Sequence, residues 1–359
     1  MDRRLKNFDF ILFFGILLII VFNIPIFLSI SPEYIPQQSI HLLVGLGLFF
    51  LFSIIDYKIF KNFKIHLYLF SLCFLALTFL LGNITRGAIR WIRIFNFSFQ
   101  PSELTKPFFV LFFAAHAANV DLKNPKNFAI NFLLFILPAF LIFTQPSFGN
   151  SIIIFLVWLV ITLASGANKI YPFSILILVF LLSPIFWRFL KEYQKQRILS
   201  FLSPQKDPLG AGYHLIQSII AIGAGQFLGR GLGQGTQSHL QFLPERHTDF
   251  IFASFAEEFG FLGSLGLITV YFLILLRILI IAQKAEDKFA VLVCLGVFSL
   301  LFSHLFINIG MNLGLLPITG ITLPLFSAGG SSLIATLICL GLVESISCHQ
   351  KPKETFQIS

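Results

Sequence analysis

Four groups of residues have the types and spacings that chemistry needs. The sharpest is Leu243-Pro244-Glu245-Arg246-His247-Thr248-Asp249-Phe250-Ile251-Phe252, with Glu257-Glu258 close behind. Asp249 stands where a polar segment becomes an apolar run. A carboxylate at such a rim is partly desolvated, within reach of a substrate at the membrane surface, and placed to act as a general base. Helix capping by Thr248 or Asp249 is the alternative reading. Glu245, His247 and Asp249, at alternate positions, also offer donors to a divalent cation such as Mg or Mn, although this spacing is not a specific metal signature. Neither Ser nor Cys stands in a nucleophile arrangement with these groups, so covalent catalysis has no support.

The second group runs from Arg90-Trp91-Ile92-Arg93 to Phe99-Gln100-Pro101-Ser102-Glu103-Leu104-Thr105-Lys106. Pro101 and Ser102 suit a helix entry, with Ser102 as its cap. Glu103 and Lys106, three apart, share one helix face just inside an apolar run. An acid and a base at that depth cost several kcal/mol unless paired or facing a wet cavity, so they are functional candidates, with a purely structural ion pair as the alternative. Trp91 reads either as a substrate contact or as an interfacial aromatic.

The third group is a run of glycines, Gly223, Gly225, Gly229, Gly231, Gly233 and Gly235. It lacks the Gly-Lys-Ser/Thr ending of a P-loop, which argues against a nucleotide site. It reads equally as backbone that approaches an anion and as a hinge. The fourth, Asn308 to Ser332, is rich in Gly and Pro. Irregular backbone at membrane depth is tolerated only where it is buried in protein or lines a cavity, so this segment is expected to wall a site.

The elements that must position these groups are membrane helices. Of 359 residues, 57% are hydrophobic and 11% charged, against about 25% charged in a soluble domain. Runs of roughly 20 apolar residues, the length that spans a bilayer as helix, recur along the chain. The fold expected is all-α and polytopic, one domain over 1–359. Ten spans are predicted at about 10–30, 39–56, 65–82, 102–119, 128–145, 150–166, 170–190, 250–280, 289–307 and 332–348, with a large external loop between the seventh and eighth. The first run is too long for a secretory signal and lacks a cleavage site, so it is expected to remain as a helix. Cys73, Cys294, Cys339 and Cys348 have neither metal nor disulfide spacing and read as small buried apolar residues.

Basic residues set the topology. Arg3, Arg4, Lys6, Lys58, Lys61, Lys64, Lys123, Lys126, Lys169, Arg277, Lys284, Lys288, Lys351 and Lys353 fall on one side, which is therefore cytoplasmic and holds both termini. The opposite short loops, 31–38, 146–149 and 308–331, contain no Lys or Arg. The net charge of +9 thus reflects topology and anionic membrane lipid rather than nucleic acid. Two external segments break the pattern: 83–101 holds Arg86, Arg90 and Arg93, and 188–248 holds Arg188, Lys191, Lys195, Arg197, Lys206, Arg230 and Arg246. Cations where topology does not require them point to an anionic ligand, although long loops also tolerate charge.

Taken together, Arg90-Trp91-Ile92, Phe99-Gln100-Pro101-Ser102-Glu103 with Lys106, Asp207-Pro208, Leu243-Pro244-Glu245 with His247-Thr248-Asp249-Phe250-Ile251-Phe252, Glu257-Glu258, Asn308-Ile309-Gly310-Met311 and Gly329-Gly330-Ser331 resemble the SEDS family of shape, elongation, division and sporulation proteins. The short termini make the chain more similar to its RodA branch than to its FtsW branch. One departure is visible: where the family usually shows Pro-Asp-Leu-Gly-Thr, this chain has Pro146-Ser147-Phe148-Gly149-Asn150. The resemblance implies an inner-membrane peptidoglycan glycosyltransferase that consumes lipid II beside a class B penicillin-binding protein. It implies catalytic roles for Asp249, Glu103 and Lys106 and a substrate role for Trp91. Arg86, Arg90, Arg93, Arg197, Arg246 and His247 are the further candidates for holding the substrate, with a divalent cation able to share the pyrophosphate charge. A lipid II flippase or other transporter, and a non-catalytic scaffold for the transpeptidase, are the rival readings; intramembrane Glu103 and Lys106 would suit a transporter too.

Overall fold

A computed structural model describes residues 7–85, 88–94, 97–145, 147–190, 192–206 and 212–350. The chain is a bundle of long apolar helices: α1 (Phe10–Ile30), α2 (Ile35–Ile54), the short α3 (Lys58–Asn62), α4 (Lys64–Leu81), α5 (Pro101–Leu104), α6 (Lys106–Asn119), α7 (Pro125–Thr144), α8 (Phe148–Ala164) and α9 (Ile170–Phe189). Between α9 and the last three long helices lie α10 (Glu192–Leu202), α11 (Tyr213–Gly225) and α12 (Thr236–His239). The chain then runs through α13 (Ile251–Lys284), α14 (Lys288–Asn312) and α15 (Gly330–Cys348). Among the described residues seven helices are long and apolar enough to cross a membrane. The other three predicted spans are helical too: α9 over 20 residues, α8 over 17, and α6 over 14 preceded by the single turn α5. Nothing covers most of the outward apolar side chains of α9, such as Phe180 at 78% exposure, as expected of a helix bathed in lipid.

The core is built around α15, whose spanning window is entirely buried. Its small residues permit close contact: a Cβ at Gly341 would meet the Phe49 carbonyl of α2 at 2.6 Å, and one at Gly330 would overlap the His41 ring. Cys294, Cys339 and Cys348 are buried free thiols, whereas Cys73 is exposed.

Two features were not predicted. Three strands, β1 (Asn83–Thr85), β2 (Ala88–Ile94) and β3 (Phe97–Phe99), form a small antiparallel sheet in the order β1-β2-β3. Helix α13 is broken at Gly260, where φ is +66°. A break frees backbone groups that cannot stay unpaired at this depth, and the glycine run satisfies them. Arg230 and Gly231 donate their N–H groups to the carbonyls of Glu257 and Glu258 at 3.0 Å, and Phe261 and Leu262 donate to Gln226 and Phe227 at 2.9 and 3.1 Å. Side chains at Gly225 or Gly229 would overlap the carbonyls of Ala256 and Glu258. These glycines therefore serve backbone-to-backbone docking rather than an anion cradle.

Candidate active site

Asp249 owes its position to backbone bonds on both sides. The turn before it closes through Thr248 and Phe250 N–H bonds to the Glu245 carbonyl, at 3.1 and 3.2 Å, with Glu245 itself at φ +51°. The Asp249 carbonyl accepts from Asn308 Nδ2 and Asn312 Nδ2 of α14, each at 3.0 Å. Asn312 in turn accepts from the Ala253 N–H at 3.1 Å. From the other direction, Ser327 Oγ donates to the Thr248 carbonyl at 2.7 Å and Ala328 N–H to the His247 carbonyl at 2.8 Å. The loop is thus held by main-chain contacts that leave the Asp249 carboxylate to the cavity. Helix α13 starts at Ile251 with Phe250 as its cap residue and no side-chain cap, so Asp249 is not spent on capping.

The cavity holds about 450 Å³, within the range of small-molecule sites. Asp249, Glu245 and Thr248 form one wall, Arg90, Trp91 and Arg93 of β2 another. Arg197 of α10 lines it too, and Gly320, Thr322, Gly329, Ser331 and Ser332 complete it. The stretch 313–329, irregular between α14 and α15, and the first turn of α15 thus wall the cavity as expected of 308–332. A Cβ at Gly320, where φ is +72°, would stand 3.4 Å from Asp249 Oδ2 and 3.7 Å from Arg197 Nη1. The positive φ is what favours glycine there, and the distances place a carboxylate and a guanidinium at one end of the cavity. Trp91 and Arg93, two apart on a strand, project to one face of the sheet.

Beneath the floor lies the predicted ion pair. Glu103 lines the cavity, yet it is only 6% exposed, and Lys106 1%. Lys106 Nζ stands 2.8 Å from both Glu103 oxygens, 2.9 Å from Asn150 Oδ1 and 2.8 Å from His304 Nε2. His304 Nδ1 is 3.1 Å from the Thr322 carbonyl, which can only accept. Nδ1 therefore carries the proton, and Nε2 offers its lone pair to the lysine. An ammonium has three N–H donors, and here they meet four acceptor atoms on three residues. Asn150 Nδ2 donates to Ser102 Oγ at 3.1 Å, so Ser102 serves this network and not the helix cap predicted for it. His304 and Asn150 were missed in the sequence. The only available signal was an imidazole and an amide inside apolar runs, where polar groups are costly.

Several expected roles change. Lys106 does not reach the cavity; it acts through Glu103. Arg246 donates Nε and Nη2 to the Ile30 carbonyl at 3.2 and 3.1 Å, closing the end of α1 instead of facing the cavity. Arg230 likewise donates Nε to the Ala224 carbonyl at the end of α11, at 3.2 Å. The His247 ring stacks on Tyr34 with centroids 4.3 Å apart. Glu245 Oε2 accepts from Thr248 Oγ1 at 2.9 Å. Glu245, His247 and Asp249 do not converge as cation ligands, and among the described residues no three His, Cys, Asp or Glu side chains do. Arg86, Pro146, Lys191 and Asp207-Pro208 lie outside the described residues. Ser147, where the family usually has an acid, is buried at the start of α8 and does not line the cavity.

Comparison with known proteins agrees with this architecture. The FtsW/RodA/SpoVE family model, described as "Cell cycle protein", matches residues 5–352. The peptidoglycan glycosyltransferase MrdB of Escherichia coli K12 is 41% identical over 311 residues, 86% of this chain and 84% of that one. Its namesake in Helicobacter pylori is 34% identical over 96% of this chain and 92% of that one. A chain from a structure described as coordination of polymerization and crosslinking by a peptidoglycan synthase complex superposes with TM-score 0.83 and 34% identity, over 95% of this chain and 97% of that one. The rod shape determining protein RodA of Thermus thermophilus superposes with TM-score 0.73 and 27% identity, over 95% and 96%. With its buried helices, its cavity motifs and a match over nearly its whole length, the chain belongs to the FtsW/RodA/SpoVE family of multi-pass membrane proteins.

Proposed function

We propose that this chain is a peptidoglycan glycosyltransferase that joins lipid II disaccharides into β-1,4 glycan strands and releases undecaprenyl pyrophosphate. The observation that carries the proposal is the meeting of the Asp249 carboxylate with Arg90, Arg93 and Arg197 around a single cavity. The 4-hydroxyl of one lipid-linked disaccharide attacks the anomeric carbon of the other. Its proton passes to Asp249, the new glycosidic bond forms, and the bond to the pyrophosphate breaks with inversion. Charge grows on the departing pyrophosphate, and fixed guanidinium groups stabilise growing charge best. Arg197 stands near Asp249, where the leaving group must part from the reacting carbon. Arg90 and Arg93 hold the rest of the anion, and Trp91 contacts sugar. Glu103, kept in register by Lys106, His304 and Asn150, shapes the cavity floor.

The cavity lies on the face opposite the basic loops, which makes it external and the termini cytoplasmic. The synthase complex among its structural relatives supports a class B penicillin-binding protein as partner and a role in elongation. A flippase reading is less favoured, because the buried Lys106 ammonium is fully committed within the bundle. The test is polymerisation of purified lipid II in detergent, with and without a transpeptidase-inactive partner. Asp249→Ala should slow strand formation by about 10²- to 10⁴-fold, as expected for loss of a general base. The fold should be kept, since the backbone bonds that hold the Asp249 loop do not depend on its side chain. Near-normal polymer from the variant would remove Asp249 from the chemistry.

A further inference from the structure

Tyr34 has no role in the reaction as described, yet it lines the same cavity as Asp249 and Trp91. It ends the single 3-10 turn Pro32–Tyr34 between α1 and α2, closed by its N–H to the Ser31 carbonyl at 3.1 Å. One face of its ring is taken by His247, at 4.3 Å and an interplanar angle of 25°, and the residue remains 36% exposed. Both partners are anchored independently. The His247 carbonyl accepts from Ala328 at 2.8 Å, and the neighbouring Arg246 grips the Ile30 carbonyl, tying the loop to the end of α1, just ahead of the turn that carries Tyr34. A stacked, doubly anchored ring is held rigid and loses little freedom when a ligand packs on it. Aromatic faces carry negative charge density, which complements the C–H-lined face of a pyranose.

We infer that Tyr34 is a stacking platform for a sugar ring of the substrate, and that His247 is the positioning residue that props it. The inference rests on the glycosyl-transfer reading above and adds a binding subsite to it. It replaces the expectation that His247 touches substrate.

The test compares Tyr34→Phe, Tyr34→Leu, His247→Phe and His247→Ala in lipid II polymerisation, with thermal melts of each purified protein. Lipid II affinity is measured in parallel in an Asp249→Ala background, where binding is read without turnover. Tyr34→Leu should raise KM and weaken binding about five- to tenfold with a smaller change in kcat, the size expected from one aromatic stack. Tyr34→Phe should stay within about twofold of wild type. His247→Phe should preserve KM, and His247→Ala should raise it about threefold. Unchanged KM and affinity in Tyr34→Leu, with wild type active, would overturn the platform alone. A Tyr34→Phe defect equal to that of Tyr34→Leu would assign the hydroxyl and not the ring, and His247→Phe as poor as His247→Ala would end the propping role. Failure of the wild type to bind lipid II would overturn both readings together.

Discussion

His304→Leu tests whether the lysine beneath the floor is held as its geometry implies. The substitution removes the Nε2 acceptor 2.8 Å from Lys106 Nζ and the Nδ1 donor 3.1 Å from the Thr322 carbonyl. Lys106 is 1% exposed, so water cannot take over, and the buried ammonium loses one of its three partner residues. A buried polar group deprived of its partner costs about 1–3 kcal/mol, more when charged. The freed carbonyl adds to this, so the loss should be about 2–4 kcal/mol. His304→Gln offers an amide oxygen to Lys106 and an N–H to Thr322, and should lose less than about 1.5 kcal/mol. Since Thr322 and Glu103 both line the cavity, displacement also reaches the reaction. If about 2 kcal/mol of that strain is expressed in the transition state, the rate falls about 30-fold. Chemical or thermal unfolding in detergent measures the first effect and initial rates of lipid II polymerisation the second. His304→Leu matching wild type in both assays, or His304→Gln failing as badly as His304→Leu, would refute the hydrogen-bond account.

Other outcomes follow from the same structure. Lys106→Met leaves the Glu103 carboxylate buried and uncompensated, costing about 3–5 kcal/mol, whereas Lys123→Ala, on an exposed loop, should change neither melting nor rate. Arg197→Ala should depress polymerisation at least tenfold with an unchanged melt, while Arg246→Ala should lower stability by about 1.5–3 kcal/mol through its bonds to the Ile30 carbonyl; reversed phenotypes would exchange their roles. Gly229→Ala places a Cβ into the Glu258 carbonyl at a φ of +86° and should lose more than about 2 kcal/mol, read as a lower melting temperature.

Much of this protein is legible in its sequence because the rules involved are local. Apolar length marks the helices, since a bilayer accepts no unpaired backbone. Glu103 and Lys106 are paired by a three-residue spacing that any helix brings to one face. Asp249 is marked by its place between a polar loop and an apolar run, and the Gly- and Pro-rich segment before α15 announces a cavity wall. The other partners are decided only by packing. Asn150 and His304 reach Lys106 from 44 and 198 residues away, and no spacing rule connects them. Arg197 and Arg246 look alike as external cations, yet one lines the cavity and the other caps a helix, because the distinction depends on which carbonyl or space each long side chain meets. The glycines resemble an anion loop until the break in α13 is seen to be met by the N–H and carbonyl groups of the segment they lie in. Local pattern states what a segment is; tertiary structure states what it touches, because contact is a property of two distant segments brought together by burial.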